Sequence, residues 1–191
     1  MSRDKAESEP RPVPSERSKT DELEYWGFVA RAKHEVSQRL SGIDADPSHL
    51  ALSLNRASGI ITHVTESAVH RPLHLTWSGF RMLFVLWIIG ETEQSKLALL
   101  TNSSKATVSN LTNGLVKNGF VERKPSTADR RTFLVSLTEL GRQTVTQAYV
   151  DQNELLIQWS SVLDDEERAT LISLLEKLMR RRDVFGYRST N

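Results

Sequence analysis

The chain has no cysteine in its 191 residues. That excludes disulfides, thiolate zinc sites and cysteine nucleophiles at once, and it fits a reducing, cytoplasmic setting. Long apolar runs are also lacking. The longest, Met82 to Ile89, is far short of the roughly 20 residues a membrane span needs. The first residues are polar and charged, without the apolar segment of a secretory signal. The formal net charge of +1 gives no global pointer to a polyanionic partner. Glycine-rich phosphate loops, a nucleophile elbow and paired His/Glu metal motifs are all missing. The expectation is a non-enzyme with no cofactor, no metal and no membrane partner.

Hydrophobic periodicity predicts a mainly helical chain. Residues 1–19 are rich in charge, serine and proline, a composition that reads as a disordered tail. Apolar residues then recur at three- and four-residue steps from Asp21 to about Leu40, and again from Asp46 to about Val69. Thr76 caps a helix from Trp77 to about Ile89 that is apolar nearly all round, and so central. A short helix spans Glu93 to about Thr101, with Leu97, Ala98 and Leu100 as its apolar residues. After the turn Asn102-Ser103-Ser104, a second helix runs from Lys105 to Asn118, with Val108, Leu111, Leu115 and Val116 inward. Gly119 ends it.

The period then changes to that of strands. Phe120 to Arg123 and Thr132 to Leu137 make a hairpin around a polar, basic loop. Thr138 caps a long helix to about Leu163, in which Gly141 is read as a mild cost. Asp164 opens the last helix, to about Arg182. The expected division is a tail at 1–19, N-terminal helices at 20–72, a winged helix-turn-helix at 73–138 and C-terminal helices at 139–191.

Function concentrates between Leu97 and Leu137. A short helix, a polar turn and a second helix make a helix-turn-helix. The outer positions of its second helix are small or polar: Ser104, Lys105, Ala106, Thr107, Ser109, Asn110 and Asn113. Small side chains let a helix enter a major groove, asparagine can pair with adenine, and alanine can touch a thymine methyl. Ser104 caps this helix, whose first amides suit a phosphate. The hairpin adds Lys124, Arg130 and Arg131, with Asp129 placed to orient Arg131. An arginine on such a tip fits a narrow minor groove. From Ser103 to Arg131, Lys105, Lys117, Arg123, Lys124, Arg130 and Arg131 face only Glu122 and Asp129, a basic footprint in a nearly neutral chain. A look-alike helical module that binds protein, or a plain solvated hairpin, carries the same elements singly; their adjacency points to double-stranded DNA.

The residues that carry this pattern resemble the MarR family of bacterial regulators. They are Leu97-Ala98, Thr107-Val108-Ser109, Leu111, Leu115, Gly119 to Arg123, Asp129-Arg130-Arg131, Val135, Leu137-Thr138 and Gly141. The similarity runs from about Leu75 to about Arg182. The resemblance implies a winged helix on an all-helical dimerisation scaffold built from both chain ends. It implies a recognition helix at Lys105 to Asn118 and a wing whose Arg131 enters the minor groove. It also implies a homodimer that represses from a pseudo-palindromic operator and releases it on binding a small, often aromatic, anionic effector. Two departures stand out. Asn102 replaces the glycine common in the turn, although asparagine tolerates the same left-handed backbone, and Asn110 stands where many relatives carry arginine. The helix from Asp21 to Leu40 is additional; it extends the dimer interface or caps the effector cleft.

In the family the effector pocket lies between dimer helices and winged domain, where the helix from Trp77 falls. His70, His74, Trp77 and Arg81 are the pocket candidates, because an arginine beside aromatic rings holds a carboxylate while the rings cover its body. The competing reading pairs Arg81 with an acidic group or a DNA phosphate. His63, His70 and His74 also invite a metal, but apart from Glu66 no further donor stands at ligand spacing. Tyr149, Gln152 and Trp159 line the same cleft or a dimer seam. Two alternatives stay open: a protein-interaction module without DNA affinity, and a DNA binder without an effector.

Overall fold

A computed structural model of the protein describes residues 16–40, 42–126 and 132–181, with side chains from Tyr25 onward. The chain divides into two units, Met1–Ile60 and Ile61–Asn191. In the first, α1 (Glu16–Arg39) and the beginning of α2 (Asp46–Thr65) form a helical hairpin. Helix α1 already includes residues 16–19, which the composition assigns to a tail; residues 1–15 lie outside the described ones. Gly42, at φ +80°, helps turn the chain. Lys33 Nζ reaches Asp46 Oδ1 at 2.6 Å, and the Arg56 guanidinium lies 3.7 Å from the Tyr25 ring centroid. Trp26, Phe28, Leu50, Leu52 and Ile60 remain exposed.

In the second unit the α-helix gives way at Thr65 to a π-helical turn, Glu66–His70, and a 3-10 turn, Arg71–Leu73, where periodicity predicts helix to about Val69. Thr65 and Ser67 hydroxyls donate to carbonyls four residues back, Ile61 O at 2.7 Å and His63 O at 2.8 Å. Such back-bonds bend a helix, and Pro72 then removes a further donor. Helix α3 (Trp77–Ile89) follows. Two of its free first-turn amides are satisfied: Gly79 N–H donates to Thr76 Oγ1 at 3.0 Å, and Trp77 N–H to Glu66 Oε2 at 2.9 Å. Met82, Leu83 and Leu86 are buried on it. Each stabilises the fold by about 2 kcal/mol relative to an exposed side chain. As expected, α3 is central.

The helix-turn-helix is α4 (Gln94–Leu100) and α5 (Lys105–Lys117). Leu97, Ala98, Val108 and Leu115 are buried, whereas Leu100 is exposed and Val116, expected inward, is exposed too. Three strands follow the order β1-β3-β2 in one antiparallel sheet: β1 (Thr92–Glu93), β2 (Val121–Pro125) and β3 (Phe133–Leu137). Strand β3 is central, with Val135 opposite both Thr92 and Arg123. Sequence pattern points to two strands; β1 escapes it because two residues carry no alternation.

Helix α6 (Glu139–Ser160) leads to α7 (Asp165–Arg180). Asp164 and Glu167 close a reciprocal capping box at the start of α7. Leu171, Ile172, Leu174, Leu178 and Met179 of α7 are all exposed.

The start of α6 corrects the reading of Gly141. Thr138 Oγ1 accepts the Gly141 N–H at 3.0 Å and donates to Gly119 O at 2.6 Å, while Thr138 N–H donates to Phe120 O at 3.1 Å. A Cβ on Gly141 would lie 1.9 Å from Phe120 O. Glycine here is a steric requirement, not a small helix cost. Gly141→Ala should therefore destabilise the fold by at least about 2 kcal/mol in denaturant unfolding. Gly114→Ala, where an added Cβ meets nothing within 4 Å, should stabilise by about 0.5–1 kcal/mol. Equal effects at the two positions would contradict the assigned contact.

Candidate nucleic-acid interface

Helix α5 has two faces with different duties. Val108, Thr112 and Leu115 are buried, and Thr112 Oγ1 donates to Val108 O at 2.7 Å and lies 3.7 Å from Met82 Sδ of α3. The opposite face stands clear of the core. Lys105, Ala106, Thr107, Asn110 and Asn113 are exposed and Ser109 is half-buried. Ser104 caps the helix, its Oγ accepting the Thr107 N–H at 3.0 Å and sharing a 2.8 Å bond with the Thr107 hydroxyl. The turn before it carries Asn102 at φ +50°, the left-handed conformation that asparagine tolerates.

Arg81 anchors the other side of that turn. Its Nη2 donates to Thr101 O at 2.6 Å. Thr101 is the C-cap of α4, and its carbonyl sits at the negative end of the helix. This is neither of the partners weighed from sequence, an acidic side chain or a phosphate. It ties α3 to the helix-turn-helix.

The wing strands carry a second polar cluster. On β2, Glu122 Oε1 takes Lys124 Nζ at 2.8 Å and the Ser136 hydroxyl at 3.2 Å. The ammonium holds the Glu122 carboxyl below its ordinary range, and the carboxylate raises the Lys124 ammonium. Arg123 Nη1 donates to Asn113 Oδ1 of α5 at 3.0 Å, and its guanidinium lies 4.5 Å from the Phe133 ring centroid on β3. Sequence reading counts Arg123 only as one basic residue of the patch, since the spacing between helix and strand is invisible to it. Asp129, Arg130 and Arg131 lie outside the described residues.

The four pocket candidates occupy different settings. His70 is fully buried, stacked on Phe80 at 4.6 Å and on Trp77 at 5.6 Å. Its Nε2 lies 2.9 Å from Gln152 Oε1 of α6, and Nδ1 is buried without a hydrogen-bond partner. Neutral imidazole donating through Nε2 leaves Nδ1 as a bare acceptor, which is compatible with an apolar surrounding. Trp77 is half-buried beside it. His74 is exposed at the end of the 3-10 turn, at φ +57°. The structure thus brings His70 and Trp77 together, while Arg81 turns to α4. The rings continue along α3 through Phe84, which stacks on Tyr149 of α6 at 5.5 Å and 5°. Gln152 and Glu66 are the polar residues that sequence reading underrated. The carboxyl of Glu66 is held below its ordinary range, chiefly by the Trp77 N–H and also by Arg71. Among the described residues no group of three His, Cys, Asp or Glu side chains could hold a metal ion.

A capped helix with a small, polar outer face, docked on a hydrophobic helix and followed by a hairpin that β1 completes into a three-stranded sheet, defines a winged helix-turn-helix protein of the DNA-binding class. Residues 75–133 match the MarR family. Over 78% of its length the chain is 28% identical to an uncharacterised helix-turn-helix transcriptional regulator of Bacillus subtilis, YwaE, 91% of which is covered. It is 29% identical to the B. subtilis transcriptional repressor YetL, over 82% of this chain and 96% of that one. A solved structure of Bordetella bronchiseptica BpsR, described with a mechanism for regulation of its DNA binding by 6-hydroxynicotinic acid, superposes with a TM-score of 0.63 at 26% identity, covering 69% of this chain and 98% of that one. Residues 75–133 thus carry a MarR-family domain, and the relatives matched over most of the chain are transcriptional regulators rather than enzymes.

Burial of His70 has a measurable consequence. Desolvation pushes its imidazole below the ordinary value of 6.5, against the opposing effects of Gln152 and Glu66. Just below that pH the unfolded chain takes up a proton that the folded chain refuses. The contribution is therefore complete above about pH 6.5 and is lost as pH falls, with a slope of at most about 1.4 kcal/mol per pH unit for one group. Unfolding free energies measured between about pH 7.5 and 5 should show this decline, and His70→Phe should flatten it. An unchanged slope in the variant would mean that His70 titrates as freely in the folded protein as in the unfolded one.

Proposed function

We propose that the protein is a dimeric repressor that binds a pseudo-palindromic operator and leaves it when a small aromatic or anionic molecule binds. The observation that carries this reading is the outer face of α5, small and polar, held away from the core by Val108, Thr112 and Leu115 and set beside the wing. In this reading Ser104, Lys105 and Lys124 position the protein on phosphates. Ala106, Ser109 and Asn110 face the base edges, with Thr107 and Asn113 beside them on the exposed helix surface, and Arg131, oriented by Asp129 and assisted by Arg130, enters the minor groove. Two recognition helices of a dimer would meet successive major grooves roughly 34 Å apart. The exposed apolar residues of α7 support self-association, because so many such side chains on one helix mark an interface.

The effector reading rests on His70, His74, Trp77 and Arg81. The BpsR description, in which 6-hydroxynicotinic acid regulates DNA binding, supports a small ring-bearing acid as the kind of molecule to try. Arg81 gives that reading a route to DNA: a carboxylate competing for its guanidinium would free Thr101 O at the turn before α5. The repressor assignment draws on YetL, a transcriptional repressor. The terminal segments, 20–72 and 139–191, would then supply the dimer scaffold, and 73–138 the winged domain.

The test is selection of random duplexes by the purified protein, with affinity for the winner measured at several salt concentrations. A two-fold symmetric motif with half-sites about ten base pairs apart, and a steep loss of affinity with salt, are expected. A folded dimer that enriches no sequence and binds without salt dependence would favour a protein-interaction module instead. On the selected duplex, Arg131→Ala should weaken binding at least about tenfold while the dimer, followed by sedimentation, persists. Full affinity in that variant would remove Arg131 from the interface.

A further inference from the structure

Arg123 touches three elements at once. It sits on β2 opposite Val135 of β3. Its Nη1 donates to Asn113 Oδ1 on α5 at 3.0 Å. Its guanidinium covers the Phe133 ring at 4.5 Å, and its Nε is buried without a partner. Asn113, in turn, lies on the same helix face as Asn110 and Ser109, three and four residues away. An asparagine that pairs with adenine uses its carbonyl and its amide together. The carbonyl of Asn113 is already taken by Arg123.

We propose that Arg123 is a positioning residue that clasps the wing to the recognition helix, and that Asn113 serves as the catch of this clasp rather than as a base reader. The inference rests on α5 and the wing being the elements that meet DNA. The clasp fixes the distance between a major-groove reader and a wing that must reach the next stretch of backbone. A planar, forked cation suits this task because it can stack on a ring and donate to an amide oxygen in one posture. Lysine can match its charge but neither its plane nor its fork.

The experiment uses the full-length protein and its selected duplex, with Asn113→Ala, Arg123→Met, Arg123→Lys and the Asn113→Ala/Arg123→Met double variant. Each of the three single variants should bind about tenfold more weakly, and the double variant no more weakly than either member within about twofold. Asn113→Ala should keep the parent's base preference at every position of the motif. Its salt slope should change by the same amount as that of Arg123→Met, and Arg123→Lys should behave like Arg123→Met. Three results would overturn the clasp: relaxed preference at one base position in Asn113→Ala, multiplicative losses in the double variant, or recovery of affinity in Arg123→Lys with a slope reduced only in Arg123→Met. Loss of cooperative unfolding in Arg123→Met leaves Asn113→Ala, an exposed position, to decide through its base preferences. Failure of the parent protein to bind any duplex would overturn the DNA-reading assignment itself, and the clasp with it.

Discussion

The carbonyl of Phe120 is the point on which the DNA-binding half is hung. It accepts the Thr138 N–H at 3.1 Å, while the Phe120 N–H donates to Leu115 O at 2.9 Å. One residue therefore joins the end of α5, the start of the wing and the entry to α6. Thr138 doubles the join by bonding Gly119 O and capping α6 through the Gly141 N–H. None of these bonds exceeds ordinary strength. Their effect is geometric: the two wing strands enter and leave at one place, so the hairpin cannot pivot as a flap on a long linker. The bare Cα of Gly141 is what lets the helix come that close.

A second fixed point lies at the other end of α3. Glu66 and Thr76 satisfy the first amides of that helix, and the buried ring of His70 packs against both Trp77 and Phe80. His70 also reaches Gln152 on α6. The same helix carries Arg81, bonded to the last carbonyl of α4. The π-helical turn is thus bonded to α6 through His70 and to the start of α3 through Glu66, and α3 is bonded to the helix-turn-helix farther along. A displacement of α3 relative to α6 has to break or drag one of these bonds, so a change at His70 has a physical route to the turn that precedes α5.

Much of this was legible in sequence because local chemistry decides it. Thr76, Ser104 and Thr138 read as caps and act as caps. Asn102 adopts the left-handed backbone, and Gly119 turns with φ +76°. The inner stripe of α5 follows its period except at Val116, which is exposed. What escaped was set by distance in space. Strand β1 exists because β3 offers an edge to Thr92 and Glu93, not because two residues favour extension. The π-helical turn depends on back-bonds from Thr65 and Ser67. Gly141 resembles a weak helix residue until Phe120 O is placed against it. Arg81 among aromatic residues invites a ligand carboxylate, yet the carbonyl that holds it lies 20 positions along the chain.

The wing also shows why counting charge along a sequence overstates what a phosphate meets. Of the basic residues between Ser103 and Arg131, Lys124 is paired with Glu122 and Arg123 is turned inward onto Asn113 and Phe133. The two differ in what it takes to recruit them. The Lys124–Glu122 pair is exposed, and such pairs are weakly held in water. A phosphate can take the ammonium, leaving Glu122 with the Ser136 hydroxyl. Arg123 gives up a ring face and a hydrogen bond together if it leaves, and its partly buried setting makes both harder to replace with water. In the proposed DNA complex lysine at 124 is therefore the readier of the two for a phosphate and arginine at 123 the one held for shape, a division that follows from exposure and geometry rather than from charge.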